Sequence, residues 1–431
     1  MSKVLMKGNE ALGEAAIRAG CVHFFGYPIT PQTEVPEYLV KRLPEVGGAF
    51  VQAESEVAAI HMVYGAAGVG IKCMTSSSSP GISLMAEGMS YLAACELPCV
   101  IVNIMRAGPG LGGILPSQSD YFQATRGHGH GDYQLIVLAP ASVQEAVDLM
   151  ILAFELAEKY RNPVMVCADG MIGQMMEPVE FPGEGRGEPF KENDWELTGR
   201  KGRARRIVNS LFLSPDQLFQ HNIHLKEKYG RVHRDEMRWE LYGGEEPYDL
   251  LLVAFGTMAR ICKTAIDDVR REGFRVALFR PITLNPFPMA ACRAAMDAMP
   301  AKGQVLTVEM NMGQMVQDVR FAAEGARDVD FYGTAGGIVP SPDQVAAEIR
   351  ERLAGVSRVQ QRGHVMPDSL KPAGATTVTA QPTTPIRLWS GTGLCCEAQG
   401  DGVPCAGTDG TCDTCGKALP APAGQGAPTG A

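Results

Sequence analysis

The chain has 431 residues, of which 45% are hydrophobic and 20% charged, and its formal net charge at pH 7 is −9. This length predicts at least two domains, because single hydrophobic cores stop growing at roughly 250–300 residues. The negative charge argues against a general nucleic-acid-binding protein. No apolar run reaches the roughly 20 residues that a membrane span needs, and the start lacks a signal-peptide core, so we expect a cytoplasmic protein.

Residues 1–180 alternate short apolar runs with longer stretches of helical spacing. The predicted strands are Val22–Phe25, Ala49–Gln52, Ile71–Thr75, Cys99–Met105, Leu135–Leu138 and Val164–Cys167. The predicted helices are Glu10–Arg18, Glu56–Gly68, Ser83–Cys95 and Ser142–Tyr160. Strands that alternate with helices predict an α/β domain with a parallel sheet and helices on both faces.

Four loops of unusual composition follow these strands. They are Gly26–Pro31, Glu54–Glu56, Ser76–Pro80 and Arg106–Gly113. Functional groups of a parallel α/β sheet collect on the loops at the carboxyl ends of its strands. The four loops are therefore predicted to form one site at that edge.

The loop Gly26–Pro31 reads G-Y-P-I-T-P, and its two prolines fix φ twice in four residues, which predicts a rigid turn. Thr30 before Pro31 is typical of a helix start, with the threonine hydroxyl at the N-cap and proline at the first helical position. Free N–H groups and a hydroxyl at such a start would bind a small anion such as a carboxylate. A helix that is merely well capped is the alternative interpretation.

Arg106 ends a predicted strand and enters the loop R-A-G-P-G-L-G-G. This loop lacks the Lys-Ser/Thr pair of a phosphate-binding loop and does not open a dinucleotide-binding helix, so a nucleotide site is not favoured. An arginine there is better suited to bind a substrate carboxylate through paired hydrogen bonds. Glu56 opens a predicted helix, where the helix dipole favours glutamate in any case, so alone it indicates no function.

Residues 181–246 are polar and include the basic run Arg200–Arg206, which in an acidic chain favours a solvated connecting arm over a nucleic-acid patch. A second α/β pattern over residues 247–354 predicts another compact domain. Its predicted strands are Leu250–Phe255, Arg275–Phe279, Gln304–Val308 and Val329–Tyr332, with helices at Ala259–Glu272, Met289–Met299, from Gly313, and at Pro342–Ala354. The segment P-I-T-L-N-P-F-P at residues 281–288 is predicted to be a turn.

The cysteines divide into two groups. Seven are scattered between Cys21 and Cys292 in apolar surroundings, which predicts buried, reduced thiols. The tail, residues 355–431, is rich in Pro, Thr, Gly and Ala, which predicts a flexible segment, and holds Cys395, Cys396, Cys405, Cys412 and Cys415. Four of these thiolates would suffice for a zinc or iron–sulfur site, and a redox or docking thiol pair is the alternative.

Several motifs together resemble the α subunit of the 2-oxoacid:ferredoxin oxidoreductases. In the first domain they are G-Y-P-I-T-P-Q-T-E, E-S-E-V-A-A-I, T-S-S-S-S-P-G-I-S-L-M-A-E-G, R-A-G-P-G-L-G-G and G-H-G-D-Y. The later G-T-M-A-R-I, R-P-I-T-L-N-P-F-P and E-M-N-M-G-Q-M resemble that family's second, transketolase C-terminal-like domain. The resemblance covers about residues 1–352, is closest to the branched-chain (2-oxoisovalerate, 3-methyl-2-oxobutanoate) subgroup, and does not include the cysteine-rich tail.

The resemblance implies that residues 1–180 form the pyrimidine-binding domain of a thiamine diphosphate enzyme. Glu56 is then the catalytic glutamate that hydrogen-bonds the cofactor's aminopyrimidine and supports proton removal from its thiazolium, and Pro28 and Ile29 also contact the cofactor. Thr30 and Arg106 are implied to hold the substrate carboxylate, although Thr30 could instead only set the loop. His128 and His130 are not assigned a catalytic role, since histidines in a glycine-rich loop are more often structural.

The chain lacks parts that the implied reaction needs. It has no G-D-G followed by paired asparagines to hold the diphosphate and Mg²⁺, and no ferredoxin-type cysteine run for the electrons. The resemblance therefore implies a β subunit that carries the diphosphate site, Mg²⁺ and iron–sulfur clusters, with γ and δ subunits, ferredoxin and coenzyme A as further partners.

The function implied by the resemblance is oxidative decarboxylation of a 2-oxoacid to acyl-CoA and CO2 with reduction of ferredoxin. The first choice of substrate is 2-oxoisovalerate, and 2-oxoglutarate and pyruvate are the alternatives. An alternative from another class is a non-catalytic interaction protein whose working part is the metal- or thiol-bearing tail. The presence of Thr30, Glu56 and Arg106 at matching positions favours the enzyme.

Overall fold

The computed structural model describes residues 3–127, 129–183, 187 and 193–354. The chain divides into two compact units, Met1–His364 and Val365–Ala431, and the described residues all belong to the first. The predictions for the cysteine-rich tail and for His128 lie outside the described residues.

The strands and helices alternate along most of the described chain. The strands are β1 Val4–Lys7, β2 His23–Gly26, β3 Ala49–Gln52, β4 Cys73–Ser77, β5 Cys99–Met105, β6 Ile136–Leu138, β7 Pro163–Asp169, β8 Met176–Val179, β9 Trp239–Tyr242, β10 Leu250–Val253, β11 Val276–Pro281, β12 Thr283–Asn285, β13 Gln304–Glu309 and β14 Val329–Gly333. The helices are α1 Gly8–Arg18, α2 Glu34–Glu45, α3 Glu56–Gly68, α4 Pro80–Leu84, α5 Ala86–Ala94, α6 Tyr121–Thr125, α7 Val143–Tyr160, α8 Gly170–Gln174, α9 Pro215–Asp235, α10 Gly256–Arg271, α11 Met289–Asp297, α12 Met315–Ala323 and α13 Pro342–Leu353.

The first sheet has seven strands in the order β12-β6-β7-β5-β4-β2-β3. Its strands pair in parallel except for β12, which is antiparallel to β6. Strands β5 and β7 are buried along their whole length, which is why both are apolar except for Asn103 in β5 and Asp169 at the end of β7. The expected α/β fold with a parallel sheet is confirmed.

Strand β12 lies within residues 281–288, so the prediction of a simple turn there is wrong. Thr283 and Asn285 pair with β6, and the Asn285 side chain donates to the Leu135 carbonyl oxygen at 2.6 Å. The pairing partner is more than a hundred residues away in sequence, and therefore no local pattern reveals this strand.

The second sheet has five strands in the order β14-β13-β10-β11-β9, all parallel except β9, which is antiparallel to β11. Strand β9 lies in the segment predicted to be a connecting arm. Strand β12 follows that segment in the sequence, within the predicted second domain, yet it belongs to the first sheet. Buried side chains from both sheets, such as Met165 and Val253, belong to one apolar cluster. The boundaries at residues 180, 246 and 354 stay predictions.

The arm also contains the 21-residue helix α9, which the sequence patterns did not predict. Tyr229 and Val232 on this helix are buried, and the Lys228 ammonium donates to the Arg161 carbonyl oxygen at 3.3 Å. The helix is thus fastened to the first sheet at the ends where its strands begin.

The prediction of one helix over Ser83–Cys95 is also wrong, because the structure has two helices there, α4 and α5, separated at Met85. The Met85 amide bonds to the Ile82 carbonyl oxygen at 3.1 Å, which closes the first helix with a tighter turn before the second begins.

The scattered cysteines are buried and unpaired, as predicted, and burial raises the pKa of Cys21 to about 12. They are Cys21, Cys73, Cys95, Cys99, Cys167, Cys262 and Cys292. None of the helices in the described ranges combines the length and the apolarity of a membrane span. The cytoplasmic location stays a prediction.

Candidate active site

The strands β5, β4, β2 and β3 are neighbours in the first sheet, in that order. They are parallel, so their carboxyl ends lie along one edge. The loops after these strands begin close together in space, and the contacts described below join three of them directly. The predicted site edge therefore exists as a structural feature.

Thr30 does not cap a helix, so that part of the loop prediction is wrong. Helix α2 begins at Glu34 with Thr33 at its N-cap, and the Thr30–Pro31 peptide bond is cis. The Gln32 amide is already bonded to the Ile29 carbonyl oxygen at 3.2 Å, which makes this segment a turn before the helix. The predicted seat of free N–H groups at Thr30 is therefore absent, and Thr30 lies exposed at the turn.

The turn is held in place by side chains from other elements. Asn9 on α1 and Gln174 on α8 donate to the Pro31 carbonyl oxygen at 2.8 and 3.2 Å, and both also bond the Glu34 carboxylate. Pro28 is exposed and Ile29 half-buried in the same loop. Their predicted contact with a cofactor stays a prediction.

Arg106 follows β5 and is 6% exposed. Its guanidinium donates to the Thr30 carbonyl oxygen at 2.9 Å and to the Leu111 carbonyl oxygen at 3.0 Å. The structure thus brings Arg106 and Thr30 together, as the sequence predicts, through the backbone of Thr30. The buried Nε of Arg106 has no partner within the described residues, and an unpaired buried donor costs about 1–3 kcal/mol unless a ligand accepts from it.

A buried polar network behind Arg106 was not predicted. Ser79, Asn103 and Asp120 are all at most 8% exposed and bond one another. Burial raises the pKa of Asp120, and the hydrogen bonds from Ser79 and Asn103 and the charge of Arg106 oppose this shift. Asn103 is a polar residue inside an otherwise apolar strand, which is a signal that the sequence offered. Asp120 carried no such signal.

Glu56 is the first residue of α3 and is 5% exposed. The Ser55 hydroxyl caps the helix by accepting from the Ala58 amide at 3.2 Å, and this cap fixes the start of the helix at Glu56. Across the described ranges, no group donates a hydrogen bond to the Glu56 carboxylate. A carboxylate on a largely buried side chain that receives no hydrogen bond from the described chain marks a place where a ligand can bind.

The space around Glu56 is left by a glycine. A Cβ at Gly81 would lie 2.5 Å from the Glu56 Oε1 and 2.1 Å from the Ser77 hydroxyl oxygen. The buried hydroxyls of Ser77 and Ser78 also lack hydrogen-bond partners among the described residues. The Glu56 carboxylate and the nearby Ser77 hydroxyl fit the amino group and ring nitrogens of an aminopyrimidine.

A cleft of about 580 Å³ opens beside the Thr30 turn. Its lining is largely apolar and comes from the turn, from the loop after Arg106 and from α8: Thr30, Pro31, Thr33, Glu34, Ile114, Leu115, Pro116, Gly170, Met171, Gln174 and Met175. The sequence patterns did not predict the contribution of α8. In the ranges described, no group of three or more His, Cys, Asp or Glu side chains is arranged to hold a metal ion.

A second cleft, of about 400 Å³, lies at the opposite edge of the sheet, where the strands begin. Its charged groups pair with each other: Lys228 and His224 both contact the Glu96 carboxylate, at 3.3 and 3.1 Å. Burial lowers the pKa of Lys228 to about 8, and the Glu96 charge opposes the shift. This cleft is far from the loops described above and contributes nothing to them.

Two family descriptions match most of the chain. "Pyruvate flavodoxin/ferredoxin oxidoreductase, thiamine diP-bdg" matches residues 14–239, and "Pyruvate:ferredoxin oxidoreductase core domain II" matches residues 249–345. The chain is 47% identical over 357 residues to the ketoisovalerate oxidoreductase subunit VorB of Methanothermobacter thermautotrophicus, covering 83% of this chain and 99% of that protein.

More distant relatives have other names. The 2-oxoglutarate synthase subunit KorA of Methanothermobacter marburgensis is 36% identical, with 80% of this chain and 97% of that protein covered. A solved structure of 2-oxoglutarate:ferredoxin oxidoreductase from Magnetococcus marinus, with 2-oxoglutarate, coenzyme A and succinyl-CoA bound, is similar with a TM-score of 0.72 and 29% identity. The similarity covers 82% of this chain and 65% of that one, so this chain spans about two thirds of the solved chain.

Proposed function

The chain belongs to the 2-oxoacid:ferredoxin oxidoreductase family, and on this premise we propose that it is the α subunit of a branched-chain 2-oxoacid oxidoreductase and provides the pyrimidine side of a shared thiamine diphosphate site. The observation that carries the proposal is the largely buried Glu56 side chain, whose carboxylate has no donor in the described part of the chain and lies beside Gly81 together with the unpaired Ser77 hydroxyl. Bound thiamine diphosphate would supply the nucleophilic carbon and the electron sink for decarboxylation.

Glu56 is proposed to accept a hydrogen bond from the aminopyrimidine. A carboxylate held in a mostly buried position favours the tautomer of the ring that can accept a proton, so Glu56 acts as the fixed end of a proton relay. The Ser55 cap fixes the helix start that carries Glu56, and the missing side chain of Gly81 leaves the space that the carboxylate occupies.

Arg106 is proposed to bind the carboxylate of the 2-oxoacid. Two carbonyl oxygens already fix the orientation of its guanidinium, and the unpaired Nε–H leaves an edge for a bidentate contact. Thr30 contributes either its exposed hydroxyl or only the carbonyl oxygen that orients Arg106. Replacement by valine separates these roles, because Thr30→Val raises the KM for the 2-oxoacid only if the hydroxyl contacts the substrate.

The partners are proposed from what the chain does not contain. A β subunit would hold the diphosphate, Mg²⁺ and an iron–sulfur cluster, and γ and δ subunits and ferredoxin would carry electrons away, with coenzyme A accepting the acyl group. Relatives named as subunits of such enzymes, and the coenzyme A in the solved relative, support this arrangement.

The substrate is proposed to be 2-oxoisovalerate. Support comes from the identities, which are 47% to the ketoisovalerate oxidoreductase subunit, 36% to a 2-oxoglutarate synthase subunit and 27% to a pyruvate synthase subunit. Discrimination among these acids depends on the shape of a pocket, where one methylene group is worth about 1–3 kcal/mol.

The test is purification of the complex from its native source and assay of coenzyme A-dependent viologen reduction with 2-oxoisovalerate, 2-oxoglutarate and pyruvate in parallel. We expect the highest kcat/KM with 2-oxoisovalerate, in a preparation that contains a second subunit with the diphosphate motif. A chain that purifies without such a subunit and turns over none of the three acids would overturn the proposal.

A further inference from the structure

Ser79 adopts a backbone conformation that L-residues rarely use. It lies between β4 and α4 with φ of 27° and ψ of −83°, and it is 7% exposed. A residue other than glycine keeps a positive φ only when its surroundings enforce it, and such residues concentrate at functional sites. The contacts that hold Ser79 in this conformation therefore indicate its role.

Three buried hydrogen bonds enforce the conformation. The Ser79 amide donates to the Asn103 Oδ1 at 3.2 Å, and the Ser79 hydroxyl lies 2.6 Å from the Asp120 Oδ2. The Asn103 Nδ2 donates to the same Asp120 oxygen at 3.0 Å. The network joins the loops that follow β4 and β5 to the start of α6.

The network fixes the direction of the Ser79 hydroxyl. A serine hydroxyl has one proton, and the Asp120 oxygen at 2.6 Å is a stronger and closer acceptor than the Arg106 carbonyl oxygen at 3.2 Å. The lone pairs of the Ser79 oxygen are then free to accept from the Arg106 amide, 3.0 Å away. Asp120 thus orients the hydroxyl, and the hydroxyl holds the backbone of Arg106.

We propose that Ser79, oriented by Asp120, is a positioning residue for Arg106 in binding of the substrate carboxylate. The inference rests on the proposed function, in which Arg106 binds that carboxylate. The guanidinium is aligned by the carbonyl oxygens of Thr30 and Leu111. How far it reaches into the site also depends on the position of the Arg106 backbone amide, which the Ser79 hydroxyl oxygen fixes by accepting its hydrogen bond. The strained turn at Ser79 places the hydroxyl there.

The test uses the assembled complex and compares Ser79→Ala with Ser90→Ala. Ser90 is a matched control, because it is 6% exposed and its hydroxyl donates to the His130 carbonyl oxygen at 2.7 Å outside the network. We expect Ser79→Ala to raise the KM for the 2-oxoacid about tenfold, because small misplacements of a substrate-binding group are costly. The KM for coenzyme A and kcat should change by less than about twofold, and Ser90→Ala should change none of them.

Ser79→Gly is the second variant. Glycine tolerates the positive φ and also lacks the hydroxyl, so it gives the same rise in KM even if Ser79→Ala fails to fold. At Asp120, replacement by asparagine leaves an oxygen that can accept from Ser79, whereas alanine does not. We therefore expect Asp120→Ala to raise the KM more than Asp120→Asn.

A double-mutant cycle with Arg106→Ala separates positioning from general structural support. If Ser79 acts through Arg106, adding Ser79→Ala to Arg106→Ala raises the KM no further. Additive effects would overturn the inference, as would an unchanged KM in both Ser79 variants when Arg106→Ala raises it. If Arg106→Ala itself leaves the KM unchanged, the proposed role of Arg106 fails instead, so the two failures are distinguishable.

Discussion

Two buried glutamates at the carboxyl edges of the two sheets differ in one decisive respect. Glu309 ends β13 and accepts hydrogen bonds from the Asn311 side chain at 2.8 Å and from the amides of Met315 and Val316 at 2.8 and 2.9 Å. Glu56 accepts none from the described residues. Each sheet thus has a buried glutamate near its carboxyl edge, at the end of a strand for Glu309 and at the start of a helix for Glu56, and of these two only Glu56 lacks a hydrogen-bond donor among the described residues.

The same contrast extends to the neighbours of each glutamate. Around Glu309, Gln118 from the first sheet's loops bonds the amide of Met310, and Tyr121 donates to Asp318 at 2.6 Å. Beside Glu56, the hydroxyl of Ser77 is unpaired within the described ranges. Satisfied polar groups thus join the two halves of the molecule near Glu309, whereas an unpaired hydroxyl lies beside the Glu56 carboxylate.

The largest expected effect is that of Glu56→Gln on turnover. Glutamine keeps the size of the side chain but cannot act as the proposed base, so we expect kcat of the assembled complex to fall by about 10²–10⁴-fold. The free energy of unfolding of the purified chain should stay about the same, because no hydrogen bond within the described chain is lost. Steady-state assay and denaturant titration measure the two quantities, and near-normal turnover would contradict the role of Glu56.

Gly81→Ala tests whether the space beside Glu56 is required. The new Cβ would meet the Ser77 hydroxyl and the Glu56 carboxylate at 2.1 and 2.5 Å, so we expect at least about a tenfold loss of kcat/KM and about 1–3 kcal/mol of destabilisation. Gly65→Ala is the matched control. Gly65 lies in the same helix as Glu56 and its Cβ would meet nothing within 4 Å, so that change should be neutral or stabilising by up to about 1 kcal/mol.

Glu309→Gln should give the opposite pattern to Glu56→Gln. The new NH2 group would face donors that now bond a carboxylate, so we expect a loss of about 1–3 kcal/mol in the free energy of unfolding. The kcat of the complex that does fold should remain within about a factor of two. A specific loss of kcat without destabilisation would show that the second sheet also contributes chemistry.

Thr257→Val is expected to have the smallest effect. It removes the hydrogen bond of 2.8 Å that joins Thr257 on α10 to the buried Asp169 at the end of β7, at a cost of about 1 kcal/mol. Burial raises the pKa of Asp169 and Thr257 opposes this, so the variant raises that pKa further. A folded-state pKa above the unfolded value makes stability fall as pH rises.

The loss caused by Thr257→Val should therefore grow only once the pH passes the folded-state pKa of wild-type Asp169, which burial places above the ordinary value of an aspartic acid. Unfolding titrations at several pH values measure this, with Thr257→Ser, which keeps the hydroxyl, as the control. A loss that shrinks as pH rises would mean that Thr257 does not stabilise the ionised Asp169.

Local sequence determined several elements of this fold to the residue. Strand β5 and helix α3 have their predicted bounds, Cys99–Met105 and Glu56–Gly68, because one is an apolar run interrupted only by Asn103 and the other begins after a serine N-cap. The prediction that the candidate loops lie together at one sheet edge also follows from local signals. Strands that alternate with helices predict a parallel sheet, and the loops after parallel strands lie at the same edge. Glu56 and Arg106 could thus be named as candidates from the sequence and its resemblance to a family.

The tertiary structure alone decided which of these groups are satisfied. The Thr30 segment is a turn whose Pro31 carbonyl oxygen accepts hydrogen bonds from Asn9 and Gln174, which come from other parts of the chain. The local Thr-Pro pattern does not show these contacts, and for this reason the helix-start prediction there is wrong. Ser79 and Asp120 meet only because the loops that carry them are adjacent at the sheet edge. Secondary-structure propensity and capping act over a few residues, so local sequence could identify Glu56 and Arg106 as candidates. Hydrogen bonds between loops depend on strand order, so only the fold showed which polar groups have partners within the described chain.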